Sequence, residues 1–317
     1  MRIAVLDKAS MGNDLDFDVL SAFGEYRTYS STDPDQLVSH ASDCDVLILN
    51  KVKIGGEQMD MLPRLRQICV FATGFDNIDV SAASTRGIAV CNVPAYSTDS
   101  VALITMATVL SLCTGLAARD RYVKSGKYRE SGQANSLEPT FRELRGKVWG
   151  IVGYGNIGVA VAEAAKALGC RIVACKRTPA PGVELVDIDT LCRISDIITL
   201  HCPLNGQTRG IISCERIAAM KQGVVLVNEA RGAVVDEAAV ADAVLSGHIG
   251  AFGCDVYSEE PFNEKHPYAA IMGCENVCLT PHCAWGAVEA RERCLRIICE
   301  NIAAFEKGEM KNRVDIL

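Results

Sequence analysis

V-W-G-I-V-G-Y-G-N-I-G, Val148 to Gly158, joins an apolar run to a glycine turn. Val148–Val152 reads as a buried strand. Gly153, Gly155 and Gly158 form a G-x-G-x-x-G, and alanine-rich, helix-favouring sequence follows from Val159 to Leu168. Strand, glycine turn and helix in that order are the context in which the pattern means a dinucleotide site. The first glycine permits the tight turn, the second lets the backbone approach a pyrophosphate, and the third lets helix and strand pack closely. Amides at the helix start then face the phosphates. Alone the pattern is weak, and the competing reading is a purely structural glycine turn; the flanking strand and helix favour the nucleotide site.

Outward from this stretch, apolar runs alternate with helix-like runs. Ile3–Leu6, Val46–Leu49, Ile68–Phe71 and Ile88–Val90 read as strands, with helices over Phe17–Phe23, Pro34–His40 and Val80–Thr85. After the glycine turn, strands are expected at Arg171–Cys175, Ile197–Leu200, Val224–Val227, Ala251–Asp255 and Val277–Leu279. Helices are expected at Ile188–Arg193, Cys214–Met220, Asp236–Leu245 and Ala287–Lys307. This is a parallel α/β pattern. It predicts two doubly wound parallel-sheet, Rossmann-like domains with a cleft between them. Residues 1–98 with 287–317 form the substrate-binding, flavodoxin-like domain, and 99–286 the dinucleotide-binding domain, with five or six strands. The last helix could pack on either. Ser100–Ala118 carries no charged residue and reads as one long helix buried in a domain or subunit interface, not as a membrane span.

The 317 residues are 49% hydrophobic and 22% charged, a globular composition. A net charge of −7 gives no basic footprint for nucleic acid or an anionic membrane. There are 15 cysteines and no C-x-x-C. Cys274, Cys278 and Cys283 lie near His282, but the second paired motif of a zinc site is missing, so no metal is expected. Thiols inside apolar runs suit a reducing cytoplasm. The start, M-R-I-A-V-L-D-K, is no signal peptide.

Three residues after expected strands carry chemistry. N-E-A-R-G, Asn228–Gly232, puts Arg231 at a strand's carboxyl end, where it can grip a carboxylate with two hydrogen bonds. G-C-D-V-Y-S-E-E-P, Gly253–Pro261, ends a strand at Asp255 and places Glu260 in the loop beyond. L-T-P-H-C-A-W, Leu279–Trp285, puts His282 after the last strand. Histidine suits proton transfer near neutral pH, and a carboxylate beside it fixes its tautomer. Any one of these residues alone could be a solvated loop side chain. Their convergence beside a dinucleotide motif is the signal.

These motifs, with A-T-G-F-D-N-I-D (Ala72–Asp79), N-V-P-A-Y-S-T-D-S-V-A (Asn92–Ala102) and H-C-P-L (His201–Leu204), resemble the D-isomer-specific 2-hydroxyacid dehydrogenases over nearly the whole chain. Asn50–Lys51 and the Asn92–Ala102 run look most like the glycerate dehydrogenase (hydroxypyruvate reductase) branch. The resemblance implies that Arg231 binds the substrate carboxylate and polarises the keto oxygen. It implies that His282 exchanges the proton and that Glu260 pairs with it. Asp255 would hydrogen-bond the nicotinamide carboxamide. Thr73, Asn156, Ile157, Cys202, Glu229 and Ala230 match positions lining the cofactor. The loop amides from Thr73 through Gly74 to Phe75 would hold the carboxylate. Asn50, Lys51, Val52, Phe75, Tyr96 and Trp285 would shape the substrate pocket.

The pattern departs from the family at one place. An acidic residue about 20 positions past the glycines would bind the ribose of NAD. Here Lys176 and Arg177 stand in that place, and no acid occurs between Arg171 and Gly182. Two cations there favour NADP over NAD. The expected protein is a cytoplasmic, homodimeric oxidoreductase acting on a small 2-keto or 2-hydroxy acid, hydroxypyruvate or glyoxylate first among them. The competing reading is a corepressor-like protein that senses NAD(H) without turnover.

Overall fold

The computed structural model describes residues 1–316. The chain divides into two compact units, Met1–Ser97 with Gly286–Leu317, and Thr98–Trp285. Each is built on one parallel sheet.

In the first unit the strands are β1 Arg2–Val5, β2 Glu25–Thr28, β3 Val46–Leu49, β4 Gln67–Val70 and β5 Ala89–Cys91, in the order β2-β1-β3-β4-β5. β3 and β4 are buried at every position, as parallel strands covered on both faces are. The helices are α1 Leu37–Ala41, α2 Gly56–Asp60 and α3 Val80–Thr85. Asp79 caps α3 by accepting from Ala82 N at 2.8 Å, which satisfies an amide the first turn leaves open. Two expectations need correction. Phe17–Phe23 is a 3₁₀ segment. β2 and α2 have no counterpart in the sequence reading. β2, E-Y-R-T, is an edge strand with no buried residue, and so lacks the apolar signal.

The second unit opens with α4 Thr98–Thr114, α5 Leu116–Lys124 and α6 Lys127–Ser131. The expected single uncharged helix is in fact broken. Gly115, at φ +62°, ends α4, and the axis turns by 64° into α5. Then follow β6 Val148–Val152, α7 Asn156–Ala167, β7 Arg171–Cys175, β8 Glu184–Leu185, α8 Ile188–Ile194 and β9 Ile197–Leu200. The unit continues with α9 Cys214–Ala218, β10 Val224–Asn228, α10 Glu237–Leu245, β11 Ile249–Cys254 and β12 Val277–Leu279. The seven-stranded sheet runs β12-β11-β10-β9-β6-β7-β8. The two-residue β8 takes it past the five or six strands expected. β11 stops one residue short of Asp255, which begins the loop. α4 packs on α7 and on β10, β11 and β12. The chain's last helix, α11 Val288–Glu306, packs on β4 and on the Phe17–Phe23 segment of the first unit. Among the described residues no single helix is long and apolar enough to cross a membrane.

Strand order decides where a ligand can sit. β6 lies between β9 and β7, so the chain leaves β6 in one direction and later returns on its other side. Such a reversal opens a crevice at the strands' carboxyl ends.

Candidate active site

Gly153, Gly155 and Gly158 occupy that crevice, each for a different reason. Gly153 has φ +95°, and a Cβ there would lie 2.5 Å from Cys202 N. A Cβ on Gly158 would overlap Gly153 O. Gly155 is extended, and a Cβ there would meet nothing within 4 Å. The loop therefore packs tightly at both ends and is open in the middle, beside the first turn of α7 with Asn156 and Ile157. This is the shape a pyrophosphate needs: open space against backbone and a helix start. The residues fit a dinucleotide.

Lys176, Cys202, Glu229, Ala230 and Asp255 lie one or two residues past the carboxyl ends of β7, β9, β10 and β11. Asp255 is buried, and its carboxylate is held by three donors. Oδ1 accepts from Thr280 Oγ1 at 2.6 Å and Cys283 N at 2.9 Å, and Oδ2 accepts from Ala284 N at 2.8 Å. Lys176 and Arg177 are exposed, and Arg177 Nη1 donates to Gln207 Oε1 at 3.0 Å.

The proposed catalytic residues belong to the same unit. His282 has φ +51°, an uncommon conformation outside glycine. Its Nδ1 lies 2.6 Å from Glu260 Oε2. A carboxylate only accepts, so Nδ1 carries the proton. Trp285 Nε1 donates to His282 O at 3.0 Å and ties down the turn. Glu260 Oε1 accepts from Tyr257 N at 3.1 Å, and the Tyr257 hydroxyl donates to Thr280 O at 2.7 Å. Ser258 N donates to Glu237 Oε1 at 2.9 Å, pinning the same loop to α10. Arg231 is extended, with Nη1 donating to Ala230 O at 2.8 Å. Asn228 fixes the turn below it: Oδ1 accepts from Ala230 N at 3.1 Å and Nδ2 donates to Arg231 O at 3.0 Å. Gly232 has no room for a side chain, because a Cβ would overlap Ser258 N and Tyr257 C.

Asn50, Lys51, Thr73, Gly74 and Phe75 lie in the first unit, after the carboxyl ends of β3 and β4. The Asp7 carboxylate accepts from Asn50 N at 2.9 Å and Lys51 N at 2.6 Å. Asn77 Nδ2 donates to Asn50 O at 3.2 Å and Val52 O at 2.8 Å. Thr73 Oγ1 donates to Val93 O at 2.7 Å. The sequence reading missed the residues that hold others in place, namely Asp7, Asn77, Gly232, Tyr257 and Thr280. The glycine after Arg231 was the one available hint of the close approach at Gly232.

The family model described as "D-isomer specific 2-hydroxyacid dehydrogenase, NAD binding domain" matches residues 106–284. A hydroxypyruvate reductase of Blautia hydrogenotrophica is 36% identical over 99% of this chain and 100% of its own. Among solved structures, an acyclic imino acid reductase in complex with NADPH and D-Arg superposes with a TM-score of 0.88 at 28% identity, covering 99% of this chain and 100% of that one. A D-lactate dehydrogenase of Aquifex aeolicus complexed with NAD and lactic acid gives 0.87 at 27% identity, covering 99% of each chain. The chain belongs to the D-isomer-specific 2-hydroxyacid dehydrogenases. It is an oxidoreductase that uses a nicotinamide cofactor to interconvert a 2-keto acid and the D-2-hydroxy acid.

Proposed function

We propose that this enzyme reduces hydroxypyruvate, or the smaller glyoxylate, to the D-2-hydroxy acid and works with NADPH in preference to NADH. The observation that carries the assignment of roles is the 2.6 Å bond between His282 and Glu260, in the unit that also holds Arg231 and the glycine loop. The likeness to the hydroxypyruvate reductase of Blautia hydrogenotrophica supports the substrate class.

A dinucleotide held by its pyrophosphate at Gly153–Gly158 would supply or accept the hydride through its nicotinamide. The remaining work falls to side chains. Arg231 grips the substrate carboxylate and stabilises negative charge developing on the keto oxygen. His282 gives that oxygen a proton from Nε2 in reduction and takes it back in oxidation. Glu260 keeps Nδ1 protonated, orients the ring and stabilises the imidazolium. Asp255 accepts from the carboxamide. Asn50, Lys51, Gly74 and Phe75, with Trp285, are the residues we assign to substrate recognition, and Thr73 to the cofactor. A panel of 2-keto acids, each with NADH and NADPH and followed by nicotinamide absorbance, tests the assignment. No turnover of any small 2-keto acid would overturn it.

The cofactor preference rests on Lys176 and Arg177. A charged pair with a 2′-phosphate adds about 1.5–3 kcal/mol, or on the order of tenfold to a hundredfold. kcat/KM for NADPH should exceed that for NADH by at least tenfold, and Lys176→Asp should invert the ratio. A wild-type ratio in favour of NADH refutes the preference.

We also infer a homodimer in the cytosol. All 15 cysteines are free thiols, which suits a reducing compartment. Leu103, Ala107 and Leu110 form one exposed apolar face of α4, with Leu103 67% exposed. Such a face is an association surface, and a second copy of the chain is our assignment for its partner. Leu103→Glu should convert the dimer to a monomer in sedimentation velocity. A monomeric wild type at micromolar concentration contradicts the inference.

A further inference from the structure

One rung past its strands, the sheet of the second unit carries a row of polar residues. The parallel ladder continues there. His201 N donates to Val152 O at 2.7 Å, Glu229 N to Leu200 O at 3.3 Å, Asp255 N to Asn228 O at 3.1 Å and Thr280 N to Cys254 O at 2.9 Å. Leu200 is in register with Asn228, Asn228 with Cys254, and Cys254 with Leu279. His201, Glu229, Asp255 and Thr280 are therefore lateral neighbours, about 4.8 Å apart from strand to strand. Alternation puts His201 on the face of Thr199 and Glu229 on that of Val227. This is the face where Thr199 Oγ1 accepts from Trp149 Nε1 at 3.1 Å and Val227 packs with Trp149 and Val109 of α4.

Thr280 and Asp255 bond to each other. Glu229 and His201 do not find partners. Both Glu229 carboxyl oxygens and both His201 ring nitrogens are buried without a hydrogen bond among the described residues. Glu229 is only 8% exposed. An orphan buried carboxyl is costly, and an ionised one far more so. Burial, and then the neighbouring Asp255, push the Glu229 pKa up to about 9. Burial pulls His201 down to about 3. Near neutral pH the row therefore holds a neutral acid and a neutral imidazole beside Asp255.

We propose that Glu229 sets the redox preference of the cofactor site. Held as a neutral acid, it withholds a second negative charge from the nicotinamide end and so favours the uncharged reduced ring over the cationic oxidised one. When it ionises, releasing its proton to solvent, the bias moves toward the oxidised form. This rests on the reading of Asp255 as the partner of the nicotinamide carboxamide, since that contact places the ring near the row. The titratable groups near Glu229 are His201 after β9, Asp255 on the same face at the end of β11, Cys254 on the opposite face, Cys278 on β12, and Cys283 beyond it. α4 contributes Thr108, which hydrogen-bonds Cys278, and no charge from Ser100 onward. Burial pushes all three thiols up as well, so they titrate on the same alkaline side. A Glu229→Gln comparison removes their contribution.

The test measures dissociation constants for NADP⁺ and NADPH separately, by protein and nicotinamide fluorescence, between pH 6.5 and 10. In the wild type the ratio of the NADP⁺ constant to the NADPH constant should fall roughly tenfold as pH passes about 9, the size expected for one charge acting across several ångströms of protein. In Glu229→Gln that fall should be lost, leaving only the smaller slope that the thiols give. Infrared spectra of the ligand-free protein supply a second readout, independent of how the variant folds. At pH 7 the wild type should show the stretch of a protonated, buried carboxylic acid, which fades above pH 9. A pH-independent ratio in a wild type that binds both nucleotides and reduces a keto acid overturns this inference alone. So does the absence of the protonated-acid band. Failure to bind either nucleotide at any pH overturns the functional reading, and this inference with it.

Discussion

Arg231→Ala should abolish measurable turnover while leaving NADPH binding within about threefold of wild type. Two losses combine in that variant. The substrate carboxylate loses a charge-assisted pair of hydrogen bonds, which contribute about 1.5–3 kcal/mol. The keto oxygen loses its cationic partner in the transition state, and deleting a comparable donor costs about 2.7–4 kcal/mol. Together they come to about 4–7 kcal/mol, or on the order of 10³ to 10⁵ in kcat/KM. The cofactor should be spared because its cradle at Gly153–Gly158 is built from backbone and does not depend on the guanidinium. Arg231→Lys keeps the charge but loses the planar fork, and should recover only part of the loss. Steady-state kinetics and a fluorescence titration on the same preparation decide the matter. Residual turnover above a tenth of wild type would remove Arg231 from the chemistry. Equal loss of cofactor binding would mean that the substitution acts through the fold.

How much of this was readable beforehand depended on the kind of signal. β3, V-L-I-L, and β9, I-I-T-L, announced themselves because both faces are buried. β2 did not, because an exposed edge strand needs no apolar residue. The uncharged run from Ser100 to Ala118 showed continuous hydrophobicity, and hydrophobicity carries no information about direction. Only the left-handed φ of Gly115 turns the helix. The placement of Arg231, Glu260 and His282 after three strands was legible because each follows an apolar run. Their lateral order was not, since register between strands is a product of tertiary pairing. That is why Glu229 read only as a residue near the cofactor. Its burial beside Asp255 and His201 appears once Asn228 is aligned with Leu200 on one side and Cys254 on the other.

The same separation between local and tertiary causes makes Gly232→Ala a sharper test of the site than its conservative appearance implies. A methyl group at residue 232 would overlap Ser258 N and Tyr257 C, and these are backbone atoms that cannot rotate away. The loop from Tyr257 to Pro261 has to move. Its anchors resist, because Ser258 is bonded to Glu237 and the Tyr257 hydroxyl to Thr280 O. Overpacking of this kind costs about 1–3 kcal/mol, which should lower Tm by roughly 2–12 °C. The same movement carries Glu260 away from His282 Nδ1, and a misplacement near 1 Å costs about a hundredfold in rate. Gly155→Ala is the matched control. Gly155 is extended and its Cβ would meet nothing within 4 Å, so folding should be untouched. The methyl group would instead stand where the pyrophosphate approaches the backbone, raising the NADPH dissociation constant at least tenfold at constant Tm. One alanine should therefore act on the catalytic pair through packing, and the other on the cofactor through space the fold leaves open. Thermal unfolding and nucleotide titration of both variants tell these apart. Equal Tm losses, or a Gly232→Ala enzyme as active as wild type, would show that the contact between Gly232 and the 257–258 backbone does not hold Glu260 in place.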